Sequence, residues 1–206
     1  MTKIPPIYPI SQSNLEQKSL LKWAKSLLDC GATFIQYRDK NRIDKELLDN
    51  CEKLINLFEN YKATLVINDR VDIAFIVGAK AVHLGWEDIP PERARILLKK
   101  RVIVGISTHN YKEAKKAFTF PIDYLALGPV FETKTKISSE PIVSHKTQEV
   151  ILKNSPFPVV AIGGINLDNA RELYERGFSS LSLISTIAEN PTNTYEALIK
   201  IWKSCK

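Results

Sequence analysis

Short runs of apolar, largely β-branched residues alternate with amphipathic stretches along the chain, and the two periods predict alternating strands and helices. The predicted strands are Ile7–Ile10, Thr33–Tyr37, Thr64–Ile67, Ala81–Leu84, Val102–Gly105, Tyr124–Leu127, Pro158–Ile162 and Ser179–Ile184. Between them, Leu15–Leu28 puts Leu20, Leu21, Ala24, Leu27 and Leu28 on one helical face. Asp44–Phe58 does the same with Leu47, Leu48, Cys51, Leu54 and Ile55. Shorter helices are predicted at Val71–Val77, Pro91–Lys99, Lys112–Phe118, Thr147–Lys153, Asp168–Arg176 and Thr194–Lys203. Asn110 and Asn166 stand where N-caps belong, and Pro91 suits a first helical turn. Strands that are nearly all apolar fit a parallel sheet covered on both faces. Eight strand-then-helix units in 206 residues predict a (β/α)₈ TIM barrel, with residues 1–206 as one domain. A doubly wound open sheet is the alternative. It would carry a Gly-rich loop after its first strand, and none follows Ile10.

Composition adds exclusions. Apolar residues are 44% and charged residues 25%, which fits a globular chain rather than a disordered or fibrous one. No run approaches a membrane span, and Met1–Pro9, with Lys3 and three prolines, does not read as a signal peptide. Cys30, Cys51 and Cys205 lie far apart without metal-ligand spacing, which points to reduced thiols and a cytoplasmic protein. The net charge of +6 points to an anionic partner, either nucleic acid or small phosphorylated metabolites, or simply to a lysine-rich solvated surface. The basic residues are scattered and no recognition motif accompanies them, so nucleic acid is not expected.

In a barrel, chemistry gathers at the C-terminal ends of the strands. The second strand runs into Gln36-Tyr37-Arg38-Asp39-Lys40. Alternation puts Gln36, Arg38 and Lys40 on one side, which suits a diphosphate as well as it suits a solvated basic loop. The third and fourth strands lead to Asn68-Asp69 and to Gly85-Trp86-Glu87-Asp88. Either aspartate could cap a helix, but a pair on neighbouring strands favours a hard cation such as Mg²⁺. Ser107-Thr108-His109 follows the fifth strand and suits either an anion or a helix cap. His83, His109 and His145 have no zinc-type spacing and read as structural. The long segment after the sixth strand offers Thr133, Thr135 and Lys136, as a binding loop or a basic surface loop. Gly163-Gly164 and Ile184-Ser185 follow strands seven and eight, where barrels often hold phosphate. Two anion sites without a nucleophile point to group transfer with diphosphate leaving.

In order along nearly the whole chain, seven motifs resemble the thiamine-phosphate synthase family. They are residues 36–40; Ile67-Asn68-Asp69-Arg70-Val71-Asp72; His83-Leu84-Gly85 with Asp88; Gly105-Ile106-Ser107-Thr108-His109; Gly128 to Lys136; Ala161 to Ile165; and Ile184-Ser185. The resemblance implies a (β/α)₈ barrel that joins 4-amino-5-hydroxymethyl-2-methylpyrimidine diphosphate to hydroxyethylthiazole phosphate with Mg²⁺. It implies pyrimidine diphosphate on Gln36, Arg38, Lys40, Asn68, Ser107 and Lys136. It implies Mg²⁺ on Asp69 and Asp88, and thiazole phosphate on Thr133, Thr135, Gly164, Ile184 and Ser185, with Tyr37, Asp39 and Lys134 as further substrate-binding residues. Arg38, Lys40, Ser107 and Lys136 are the expected catalytic set. The expected partners are these small phosphorylated substrates, with no nucleic acid or membrane; a homo-oligomer is left open.

The chain departs from the family pattern at four places. Trp86 replaces a common Gln and is expected to reshape the pyrimidine pocket, Glu132 replaces Pro, Ser11-Gln12 replaces an Asp, and the loop from Ile137 to Ser144 lacks the usual small residues. The related thiazole tautomerase is the near rival. Pro129 in place of its His, and the presence of Asp88, favour the synthase, whereas Glu132 points the other way. A non-catalytic barrel holding thiamine precursors is the rival from another class, and the intact charged set argues against it.

Overall fold

A computed structural model describes residues 3–98, 101–133 and 140–206. Eight parallel strands are β1 (Ile7–Pro9), β2 (Phe34–Tyr37), β3 (Thr64–Asn68), β4 (Ala81–Leu84), β5 (Ile103–Thr108), β6 (Tyr124–Leu127), β7 (Val159–Ile162) and β8 (Ser180–Leu183). Each is followed by a helix: α1 (Gln17–Asp29), α2 (Asp44–Asn60), α3 (Val71–Ile76), α4 (Pro91–Leu98), α5 (Tyr111–Ala117), α6 (His145–Asn154), α7 (Ala170–Glu175) and α8 (Pro191–Ser204). The strands pair in chain order from β2 to β8, and β8 pairs with β1. At the remaining seam Ile10 bridges Gln36, and the Ser11 amide donates to the Gln36 carbonyl at 2.9 Å. The (β/α)₈ barrel is thereby closed between β2 and the residues that follow β1.

Strand alternation divides the apolar residues into two cores. Ile35, Leu65, Ile67, Val82, Leu84, Val104, Leu125, Leu127, Ala161, Leu181 and Leu183 face the helices. There they meet Leu27, Leu54, Ala74, Ala94, Ala114, Ile151, Leu173 and Leu198, all essentially inaccessible to solvent. The barrel interior holds Tyr8, Phe34, Val66, Ala81, Tyr124, Ala126 and Val160. The two-sided burial explains why these strands read as continuous apolar runs. Helix faces follow the expected period with shifts: in α1 Trp23 joins Leu20, Ala24, Leu27 and Leu28, and in α2 Asn50 and Phe58 join Leu47, Cys51 and Leu54. Asn110 caps α5, accepting from the Glu113 amide. Asn166 instead accepts from the amides of Asp168 and Asn169, closing a turn one step before α7, whose N-cap is Asn169. Among the described residues, no helix is long and apolar enough to cross a membrane.

Candidate active site

The strand ends of β2, β3 and β4 assemble the charged half of the barrel mouth. Lys40 Nζ lies 3.1 Å from Asp69 Oδ2. Asp88 folds back so that its Oδ2 accepts the Gly85 amide at 2.6 Å. Burial, and then the adjacent Asp69 carboxylate, push the Asp88 carboxyl above the usual range. Asp69 does not cap α3: that helix is preceded by Arg70, and no side chain caps it. Asp69 has φ +62, a left-handed conformation that costs a non-glycine residue on the order of 1 kcal/mol. It is held there by the Asp69 amide donating to the His83 carbonyl at 2.8 Å. Two oxygen donors facing each other in a strained frame fit a hard divalent cation that takes its remaining ligands from phosphate and water. An all-protein cage is not formed, because no group of three such ligands exists among the described residues.

Arg38 is half-buried, and its backbone is clamped by Ser11: the Arg38 amide donates to Ser11 Oγ at 3.0 Å, and Ser11 Oγ donates to the Arg38 carbonyl at 3.3 Å. Its guanidinium reaches Ser13 Oγ at 3.2 Å. The Ser11-Gln12 departure therefore ties β1 to the cation-bearing end of β2. Two other members of the same run have other employment. Tyr37 is buried in the helix-facing core, and its hydroxyl accepts from Asn50 Nδ2 at 2.9 Å. Asp39 is buried, with Oδ2 accepting from Arg42 Nε and from the Asn14 amide. Both hold the loop in place rather than joining Arg38 and Lys40.

On the opposite side an open cleft is lined by Ser107, His109, Thr133, Gly164, Ile184 and Ser185, among others. Gly164 has φ +65, and a Cβ there would lie 2.3 Å from the Glu132 carbonyl oxygen. Only glycine lets the loop after β7 press this closely against the segment after β6. Asn169 Nδ2 donates to the Gly164 carbonyl at 3.0 Å, fixing the loop from α7. His109, whose Nδ1 lies 3.0 Å from Glu113 Oε2, also lines this cleft, within the segment after β5 that the sequence offered as an anion site or a helix cap. Ser182 also lines it, and its buried Oγ has no hydrogen-bond partner among the described residues. Its place inside an apolar strand gave no sequence signal.

Asn68 ends β3, half-buried and inward by alternation with Val66. Lys134, Thr135 and Lys136 lie outside the described residues. The Trp86 ring does not line the cleft. It packs beside Phe120 with Lys116 Nζ 5.5 Å above it, on the helix side of β4. Its expected effect on the pyrimidine pocket therefore gives way to a contact with the α5 region.

Comparison with known proteins follows the same lines. The sequence profile of the family described as "Thiamine monophosphate synthase" matches residues 7–187. The "Thiamine-phosphate synthase" of Caldicellulosiruptor bescii is 38% identical over 189 residues, which is 91% of this chain and 86% of that protein. That of Lawsonia intracellularis is 36% identical over 186 residues, 90% of this chain and 86% of its own. The solved structure of thiamine phosphate pyrophosphorylase from Pyrococcus furiosus superposes with a TM-score of 0.84 at 34% identity, over 97% of this chain and 96% of that one. The chain belongs to the thiamine monophosphate synthase family.

Proposed function

We propose that this chain is a thiamine-phosphate synthase, a transferase that joins an aminopyrimidine-methyl diphosphate to a thiazole phosphate and releases diphosphate. One observation carries the reading: a single barrel mouth presents two chemically different anion sites. One is a lysine beside two facing carboxylates, which would take a diphosphate together with a divalent cation, and the other is a cleft of glycine backbone and serine. Asp69 and Asp88 would hold Mg²⁺, which when bound neutralises charge developing on the leaving diphosphate. Arg38 and Lys40 pair with the diphosphate oxygens as the carbon–oxygen bond lengthens. Family resemblance adds Lys136 to them as a third cation. Gly164 and Ser185 anchor the thiazole phosphate, so that the ring nitrogen meets the pyrimidine methylene carbon without a diffusional search. Cytoplasmic residence belongs to the same reading, since all three thiols are free.

The test is diphosphate release measured with each substrate alone and with both. Mg²⁺-dependent release that requires both substrates supports the synthase. Isomerisation of a thiazole carboxylate phosphate without Mg²⁺ would mark the tautomerase instead. Tight binding without turnover at any Mg²⁺ concentration would mark a carrier.

A further inference from the structure

Beneath the mouth, an unbroken row of hydrogen bonds crosses the barrel interior. Gln36 Nε2 donates to the Tyr8 hydroxyl at 2.5 Å, and the Tyr8 and Tyr124 hydroxyls lie 2.9 Å apart. The Tyr124 hydroxyl is 2.8 Å from His83 Nδ1, and His83 Nε2 is 2.9 Å from Ser107 Oγ. The five residues come from β2, β1, β6, β4 and β5. Tyr8 and Tyr124 are fully buried, and burial raises both phenols far above their ordinary range, so each keeps its proton. A phenol has one proton to give. An amide N–H₂ can only donate, so Tyr8 accepts from Gln36 and its own proton goes to Tyr124. With a neutral imidazole, Tyr124 then donates to His83 Nδ1, which places the ring proton on Nε2, donating to Ser107 Oγ. Reversing the row would require Gln36 to present its Oε1 rather than its Nε2 to Tyr8.

We propose that this row sets the hydrogen-bonding sense of the site: Tyr8, Tyr124 and His83 are positioning residues that hold His83 as the Nε2–H tautomer and so commit Ser107 to donate its hydroxyl proton into the barrel mouth. The proposal rests on the reading of this mouth as the pyrimidine-diphosphate site, and it names what Ser107 recognises there. A committed donor selects an acceptor, such as an unprotonated ring nitrogen, and leaves a protonated one unpaired. Gln36 ends the row on the other side, and with one Nε2–H given to Tyr8 it keeps its Oε1 as an acceptor and a second N–H as a donor. An aminopyrimidine edge carries both complements, a ring nitrogen and an exocyclic amine.

The first test needs no substrate. ¹⁵N spectra of the wild-type protein labelled at histidine, with the His83 signals identified by their loss in His83→Gln, should show Nε2 protonated and Nδ1 bare. A proton on Nδ1 would overturn the proposal whatever the activity. The second test is kinetic. Tyr124→Phe keeps the ring and removes the hydroxyl, and it should lower kcat/KM for the pyrimidine diphosphate about tenfold, roughly the worth of one neutral hydrogen bond. In the Ser107→Ala background the same change should have little further effect, because it acts through Ser107. Full additivity of the two losses would sink the idea. His83→Gln, whose amide can accept from Tyr124 and donate to Ser107, should retain more activity than His83→Leu. A chain with no condensation activity but with Nε2–H at His83 would overturn the functional reading and leave the row intact.

Discussion

Gly105→Ala is the most exacting test of the barrel interior, because it adds one methyl group where the structure has no room. A Cβ at Gly105 would lie 2.0 Å from Tyr124 Cζ and 2.4 Å from both Cε atoms. Ordinary contact starts at 3.4 Å, so the ring must retreat by about 1.4 Å. It is fully buried, with Tyr8 and Phe34 edge-on at centroid distances of 5.9 and 6.1 Å and His83 stacked at 5.5 Å. A retreat of that size also pulls its hydroxyl from Tyr8 or from His83. Overpacking costs about 1–3 kcal/mol, and a buried hydroxyl left without its partner about 1–3 more. Alanine's more restricted unfolded chain offsets roughly 0.4–1 kcal/mol of this. The net expectation is a loss of about 2–4 kcal/mol, or roughly 5–15 °C in Tm for a chain of this size. Urea unfolding followed by circular dichroism and tryptophan fluorescence measures it directly. Gly105→Ala combined with Tyr124→Leu should cost less than the two single changes together, with a coupling above about 1 kcal/mol. A Gly105→Ala protein within about 0.5 kcal/mol of the parent would refute the packing argument, because surface-like tolerance has no place at this contact.

Other predictions are more local. Arg38→Ala should remain folded and lose about 10²–10³ in kcat, read by diphosphate release, since it removes one charged donor from the leaving group; near-normal turnover would remove Arg38 from that role. Gly164→Ala should raise KM for the thiazole phosphate more than for the pyrimidine diphosphate, because the added Cβ displaces the loop against the Glu132 carbonyl; equal effects on both substrates would argue against a separate phosphate cleft. Burial pushes the Cys51 thiol up to about 12, so iodoacetamide at about pH 8 should modify Cys30 and Cys205 in the native protein and spare Cys51, as peptide mass spectrometry would show. The sign is that of a raised acid: above the ordinary thiol range the unfolded chain holds fewer protons than the native one, so this site lowers stability as pH rises.

The sequence alone determined the barrel, because its strands are buried on both faces and its helices on one, and both conditions leave a local period. Ala81–Leu84 and Tyr124–Leu127 coincide with their predicted bounds, and the remaining elements shift by a few residues at their ends. The sites that lie at strand ends were legible for the same reason: a barrel puts its chemistry there, so Lys40, Asp69 and Asp88 could be grouped before any distance was known. Tertiary structure alone decided which side chains share that space. In the run from Gln36 to Lys40, the side chains of Tyr37 and Asp39 are taken by Asn50 and by Arg42 and Asn14, partners remote from the cleft. Tyr8, Tyr124 and His83 look like ordinary core residues within their own strands. They join only because alternation turns them inward at one height on three strands separated by as many as 116 positions. Strand periodicity is written in neighbouring residues, whereas a hydrogen bond across a closed barrel depends on register around the ring, which no local stretch of sequence contains.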